Sequence, residues 1–593
     1  MIQTFAHALV SPLRRLALVA VLAIPGPAAH AGAPVFWVGP AAPCNFNSIQ
    51  TAILAVPDGA VIRIASNQAY DDINVTIANK SLTLQGGWAD CNGTVLDGTV
   101  LLTGDPDLLQ PVIRINAGAP GREVILTRLQ LRGGRSGGLA VSGPVEVEVR
   151  RSWIDGNQGQ VGGGVRIDGS GTAATRVTLV DTLVGNVGVA PLTGNQAING
   201  GGVACIDAGL RLHGVQVRNN QAETFGGGLY LDNCAVSTGL NLFSTPGYGT
   251  FNTRIDDNRA LADGGGLYAL GGSRITLGPP GGTIAIAGNR AVRGGGVYLR
   301  GVETRMLTVG LQLDDNRADD FGGGGYLDQD ARLLMQREFP SVLPVPENRG
   351  GIPVASLCDP PVACSRVTGN RADAFNGNAF HLNGATLELR HTQLSGNGAG
   401  GRSLILASNV AGVLLESSLV TGNDSGGSDL FRLIDGSEFD LRASTITDNT
   451  SGTILRSFTP GGDNYIDVVA SIVWQPGTRV YWPDVADTTT TSCLNAHDDA
   501  DLPATLHVPG FVDATAGDYR LRGDSANVDA CADPFLAPAV DLFGAARPFE
   551  LDHRPGPGPA DRGALELGDG IFAHDFELAN PLEAVPEVAP GRN

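Results

Sequence analysis

Lysine is almost missing from this 593-residue chain: Lys80 stands alone against 39 arginines. Chemistry that needs a lysine to abstract a proton therefore has one possible source. Lys80 lies beside a short strand-like run, where an exposed surface cation is its expected role. Positive charge is also outnumbered, 40 basic residues against 60 acidic, and the net charge of -20 repels nucleic acid and anionic lipid. Past residue 31 no apolar run approaches the roughly 18 residues of a bilayer-spanning helix, so no transmembrane span is expected in the mature chain. Paired-cysteine zinc spacings, a phosphate loop and a glycine-aspartate calcium nonapeptide are absent, so no cofactor or metal is expected.

The first residues do carry a pattern. Arg14 and Arg15 precede the apolar run Leu16 to Ile24, and Ala29-His30-Ala31 forms a small-x-small site. This reads as a signal peptide over residues 1–31, with export to the outside of the cell as its consequence. Eight cysteines in an exported chain imply four disulfides. Proximity favours Cys358 with Cys364 and Cys493 with Cys531. Cys44 with Cys91 would staple the amino-terminal region, and Cys205 with Cys234 would join adjacent repeats unless both are buried free thiols.

Glycine is abundant, at 83 residues, and it is organised. Six segments repeat an asparagine, a polar bridge, a glycine triplet and an apolar-x-apolar triplet: NQGQVGGGVRI from Asn157, NQAINGGGVAC from Asn195, NQAETFGGGLYL from Asn220, NRALADGGGLYAL from Asn258, NRAVRGGGVYL from Asn289 and NRADDFGGGGYL from Asn316. The asparagine frame continues through Asn370, Asn397, Asn423 and Asn449 after the glycines fade. Repeats of this length mark a solenoid, whose units bury apolar surface only by stacking. A unit of about 26 residues holds three short strands with turns, one coil of a parallel β-helix, and about 14 coils make a rod of roughly 65 Å. In this reading asparagine adopts the left-handed turn conformation and stacks as a buried amide ladder. Val165 with Ile167, Leu229 with Leu231 and Val297 with Leu299 point inward. Around residues 47–56 a short helix behind Asn47 or Ser48 covers the open end of the stack. A kelch propeller is disfavoured, because its units run to about 50 residues.

These residues, with SIQTAILAVPDGAVIRIA and VTIANKSLTLQGGW at the start, resemble the right-handed parallel β-helix superfamily of pectate lyases, autotransporter passengers and polymorphic outer-membrane proteins over roughly residues 45–475. The later segments Leu521 to Asp529, Asp541 to Pro548 and Asp561 to Glu566 resemble the end of bacterial surface proteins termed choice-of-anchor Q. The resemblances imply an all-β, right-handed parallel β-helix with a short amino-terminal capping helix and an irregular β-rich carboxy-terminal cap. They divide the chain into 1–31 signal peptide, 32–59 cap, 60–475 β-helix, 476–568 anchor-Q-like closing region and 569–593 tail. No sorting signal follows, which leaves attachment open.

The fold hosts polysaccharide lyases and hydrolases, so catalysis needs weighing. The Asn-Thr-Asp, Gly-His-Gly and Arg-Ile-Lys signatures of polygalacturonases are missing, and Asp256-Asp257 and Asp314-Asp315 fall inside the repeat as RIDDNRA and LQLDDNRA. Structure explains those pairs better than catalysis, and no catalytic residue is assigned. His381 and His391 are expected on the surface. Tyr230, Tyr268, Tyr298 and Tyr326 occupy matching outward slots, an exposed ladder suited either to sugar contact or to plain strand stabilisation. The expectation is a secreted or cell-surface, non-enzymatic bacterial protein for adhesion or for binding carbohydrate or cell-envelope polysaccharide. It is expected to act as a monomer, although its oligomeric state stays open. A pectin-degrading lyase or hydrolase and a purely structural spacer are the alternatives. The last ~120 residues lack the alternating ~10-residue strands of an autotransporter barrel.

Overall fold

A computed structural model describes residues 33–565, apart from 94–97, 171–173, 187–193, 239–252, 279–283, 338–364, 399–400, 460, 485–486, 498–500, 533–540 and 543–559. Cys358 and Cys364 lie outside the described residues. The repeat builds a parallel β-solenoid of about 15 turns. Each turn contributes to sheet 1, of 16 strands, then sheet 2, of 14, and closes on sheet 4, of 14. Seven turns, from Gln158–Val161 to Arg371–Ala372, add a short sheet 3 between sheets 2 and 4. Three strands per coil were expected. The fourth arises where the bridge after the asparagine extends with a small inward residue, as at Ala222, Ala260 and Ala291, which pack on one another.

Strands pair in parallel, coil upon coil. Val165, Val203, Leu229, Leu267 and Val297 stand in one register, and their side chains are buried. Alternation puts every second residue inward, so aliphatic columns merge into one apolar cluster from Val38 to Ala496. The first coil begins early, with Val35–Val38 on Ala60–Ala65. Helix α1 (Ile49–Ala55) follows, capped by Ser48, whose Oγ accepts from the Thr51 amide. Ile49, Ala52 and Ile53 bury against the amino-terminal end of the core. Lys80 is not the free surface cation expected of it. Its ammonium donates to the Ile53 and Val56 carbonyls at 2.6 Å each, answering carbonyls that a helix end leaves unpaired.

The ten asparagines form a continuous file. From Asn157 to Asn449 each Nδ2 donates to the Oδ1 of the next, at 2.8 to 3.1 Å. That Oδ1 also accepts the neighbour's backbone N–H, as Asn289 does from Asn258. At nine of the ten the left-handed residue is not the asparagine but the one before it: Gly156, Asn219, Asp257, Gly288, Asp315, Gly369, Gly396, Gly422 or Asp448. The turn is completed one position early, which frees the asparagine to aim its amide inward. Gln475 and His497 prolong the file, Gln475 accepting from the Asn449 amide and His497 from the Gln475 amide.

Disulfides join Cys44 to Cys91, Cys205 to Cys234 and Cys493 to Cys531. The carboxy-terminal region does more than close the end. Leu502 and Ala504 meet the core, but Tyr519, Leu542, Ala564 and Leu565 pack on Leu419, on the outer wall of sheet 2. Leu521 and Val528 similarly cover Ile472. The outward column of sheet 2 turns apolar at these coils, and that surface needs a cover.

Candidate functional site

Three consecutive glycines let the chain turn sharply between sheets 3 and 4. Gly264 has φ +68°, and a side chain there would fall 2.8 Å from the Tyr268 Cβ. At Gly265 a Cβ would lie 2.4 Å from the Gly295 carbonyl of the next coil. The turn is therefore tight and closely stacked, and the outer faces of the two sheets meet in an inside corner.

The tyrosines line that corner. Tyr230, Tyr268, Tyr298 and Tyr326 stack with centroid separations of 5.9, 5.0 and 5.0 Å and interplanar angles of 2°, 25° and 14°. The expected exposure is corrected: Tyr268, Tyr298 and Tyr326 are 2%, 1% and 7% exposed, and only Tyr230 is half-buried. Residues just before each glycine triplet roof the file from sheet 3. Phe225 stacks on Tyr268 at 4.7 Å, and Phe321 meets Tyr326 and His381. Arg293, clamped by both oxygens of Asp263 at 2.8 and 2.7 Å, lies over Tyr298 and Tyr326 at 5.4 and 5.5 Å. Burial pushes the Tyr230 phenol up to about 12 and raises Tyr268, Tyr298 and Tyr326 in the same direction. These roofing residues were not singled out from sequence, although their fixed place before the glycines was a readable signal.

Register carries the file onward through His381, Leu406, Arg432, Arg456 and Trp482. His381 is buried, not on the surface, and burial with the nearby Arg293 charge lowers its pKa to about 3, so it is neutral at ordinary pH. His391 is buried as well. Trp482 is different, at 45% exposed, with the Arg456 and Arg479 guanidinium groups each 4.8 Å from its ring. Of the file's aromatic rings, only those near its two ends, Tyr230 and Trp482, reach solvent appreciably.

The aspartate pairs lie on sheet 2. Asp257 and Asp315 take the left-handed turn positions, whereas Asp256 and Asp314 project from the strands. Asp256 is buried beside Arg218 and Arg254 at 3.4 and 3.5 Å, and Asp314 pairs with Arg366 at 2.5 Å. Burial raises both carboxyls and the arginines oppose it. Register sets the two carboxylates two coils apart, with Ala287 between, roughly 10 Å along the axis.

These features define a parallel β-solenoid with an internal aromatic spine. No family model and no curated protein matches the chain.

Proposed function

We propose that this chain is an exported, non-enzymatic rod that binds carbohydrate on a cell surface or envelope. The observation that carries the reading is Trp482, half-exposed between two guanidinium groups at the end of the file on sheet 4. An aromatic face rimmed by cations suits a sugar ring bearing acidic or hydroxyl groups. The tyrosines between act as a spine that holds the face straight, since rings that cover one another offer no face to a ligand. The closing region that resembles choice-of-anchor Q proteins supports a surface location.

A glycan array probed with the full chain tests this. Binding lost in Trp482→Ala and kept in Tyr298→Phe supports it; a blank array defeats it. A second reading, a polysaccharide hydrolase, rests on Asp256 and Asp314, whose carboxyls burial raises; their separation of roughly 10 Å lies just beyond the ~6.5–9.5 Å used in inverting cleavage, which keeps it second. Turnover of pectin, alginate or a related uronan, abolished by Asp256→Asn or Asp314→Asn, would replace the binding reading with that one.

A further inference from the structure

Along the outer face of sheet 1, register lines up Arg176, Gly209, Ala235, Arg274, Arg305 and Arg332 on six successive coils. All four arginines are exposed. Arg274, Arg305 and Arg332 stand directly opposite one another at the ~4.8 Å strand spacing, an arrangement that repels.

Sheet 3 shows how this chain ordinarily relieves such a stack. There Arg259, Arg290, Arg317 and Arg371 are also in register. Aspartates answer three of the four: Asp319 pairs with Arg290 at 2.7 Å, and Asp373 pairs with both Arg317 and Arg371. On sheet 1, Arg305 has a 3.4 Å contact with Glu303, and both partners are 55% exposed. Arg274 and Arg332 meet no carboxylate among the described residues. In a chain of net charge -20, two guanidinium groups that meet no carboxylate among the described residues, flanking a third whose partner is itself half-exposed, call for an external anion.

The same strip is hollowed. Where the column reads Gly209 and Ala235, the missing side chains leave a groove of about 980 Å³ walled by Arg176, Arg211 and Arg274, with Asp207 and Glu303 also in its lining. Ser237 and Thr276 present hydroxyls beside it, and Cys234, tied to Cys205 on the preceding coil, lies in its lining. Arg211 also lacks a carboxylate partner among the described residues. The positive band has ends: Glu123 and Glu146 precede it in the column, and Glu438 follows.

We propose that this strip binds a linear acidic polysaccharide lying along the solenoid axis, its anionic groups set against Arg211, Arg274 and Arg332, whereas Arg176 is held by Glu146 at 3.0 Å. The proposal rests on the carbohydrate-binding reading but uses a separate face from Trp482. A polysaccharide is favoured over nucleic acid for two reasons. The groove lining contains no aromatic ring on which a base could stack, and it offers hydroxyls at Ser237 and Thr276 that suit a hydroxyl-rich sugar chain.

Affinity electrophoresis and calorimetry of the full chain with polygalacturonate, dextran sulfate, neutral dextran and oligothymidylate test it. At least one acidic glycan should bind, more weakly as salt rises, and the arm that binds tells carboxylate from sulfate recognition. R274Q/R332Q should weaken that affinity about tenfold, while R290Q/R317Q on sheet 3 leaves it unchanged. The melting temperature of R274Q/R332Q should hold or rise, because the substitution removes repulsion. Failure of both acidic glycans, equal affinity in R274Q/R332Q, or equally tight binding of oligothymidylate overturns the proposal. Acidic-glycan binding that is lost in Trp482→Ala yet kept in R274Q/R332Q also overturns it, and leaves the sheet 4 reading standing.

Discussion

Asn289 shows what a single side chain does in this molecule. Its Oδ1 accepts two N–H donors of Asn258, and its Nδ2 donates to the Ile255 carbonyl and to Asn316. Replacing it by alanine leaves buried donors and acceptors unmet where no water reaches. Asn289→Ala should lower unfolding free energy by about 3 kcal/mol, read as a shift in the denaturant midpoint. Asp440 presents the opposite case. Burial pushes its carboxyl up from 3.8 to about 6, Glu438 and Asp467 push the same way, and Arg442 only partly compensates. A raised folded-state pKa means a contribution fully present below pH 3.8 and lost as pH rises through about 6. Asp440→Asn should therefore raise the melting temperature at pH 7.5 and leave it nearly unchanged at pH 3.5, a difference that scanning calorimetry reads directly.

At the scale of elements, the aromatic corner behaves as a packed joint between sheets 3 and 4. Its rings touch each other and a clamped arginine, and the Tyr298 hydroxyl makes a long 3.4 Å bond to Asp328. Packing, not the hydroxyl, holds the joint. Tyr298→Phe should thus be nearly neutral, and Tyr298→Ala should cost about 3–5 kcal/mol through the cavity it opens, both measured by thermal or denaturant unfolding. Sheet 2 shows that one wall can serve two purposes. Its earlier coils project charged pairs such as Arg132 with Asp155, and its later coils project Leu419 and Ile472 beneath the carboxy-terminal segment.

For the whole molecule, the end regions are the places where a stack must be closed. Helix α1 packs on the first coils beside Lys80, and the segment held by Cys493–Cys531 lies against the last coils of sheet 2. That bridge spans 38 residues, for which loop entropy predicts about 4 kcal/mol. Cys493→Ser with Cys531→Ser should expose residues 511–531 to limited proteolysis while the coils stay protected. Most of this architecture was legible in the chain. The Asn157 to Asn449 frame and the alternation around each glycine triplet declared a stacked parallel solenoid, because period and alternation are local properties that survive in a linear string. Three of the candidate cysteine pairs are joined in the fold, a connectivity that spacing alone does not determine. What the string could not decide was direction in space. Only the folded chain made the corner between sheets 3 and 4 an inside one, which buried the tyrosines that alternation had pointed outward. Only register between coils set Arg274, Arg305 and Arg332 against each other, with Glu303 beside Arg305 as the one carboxylate to meet them among the described residues. Outward from a strand is a statement about one backbone, whereas exposure depends on what neighbouring walls, distant in sequence, bring to the same place.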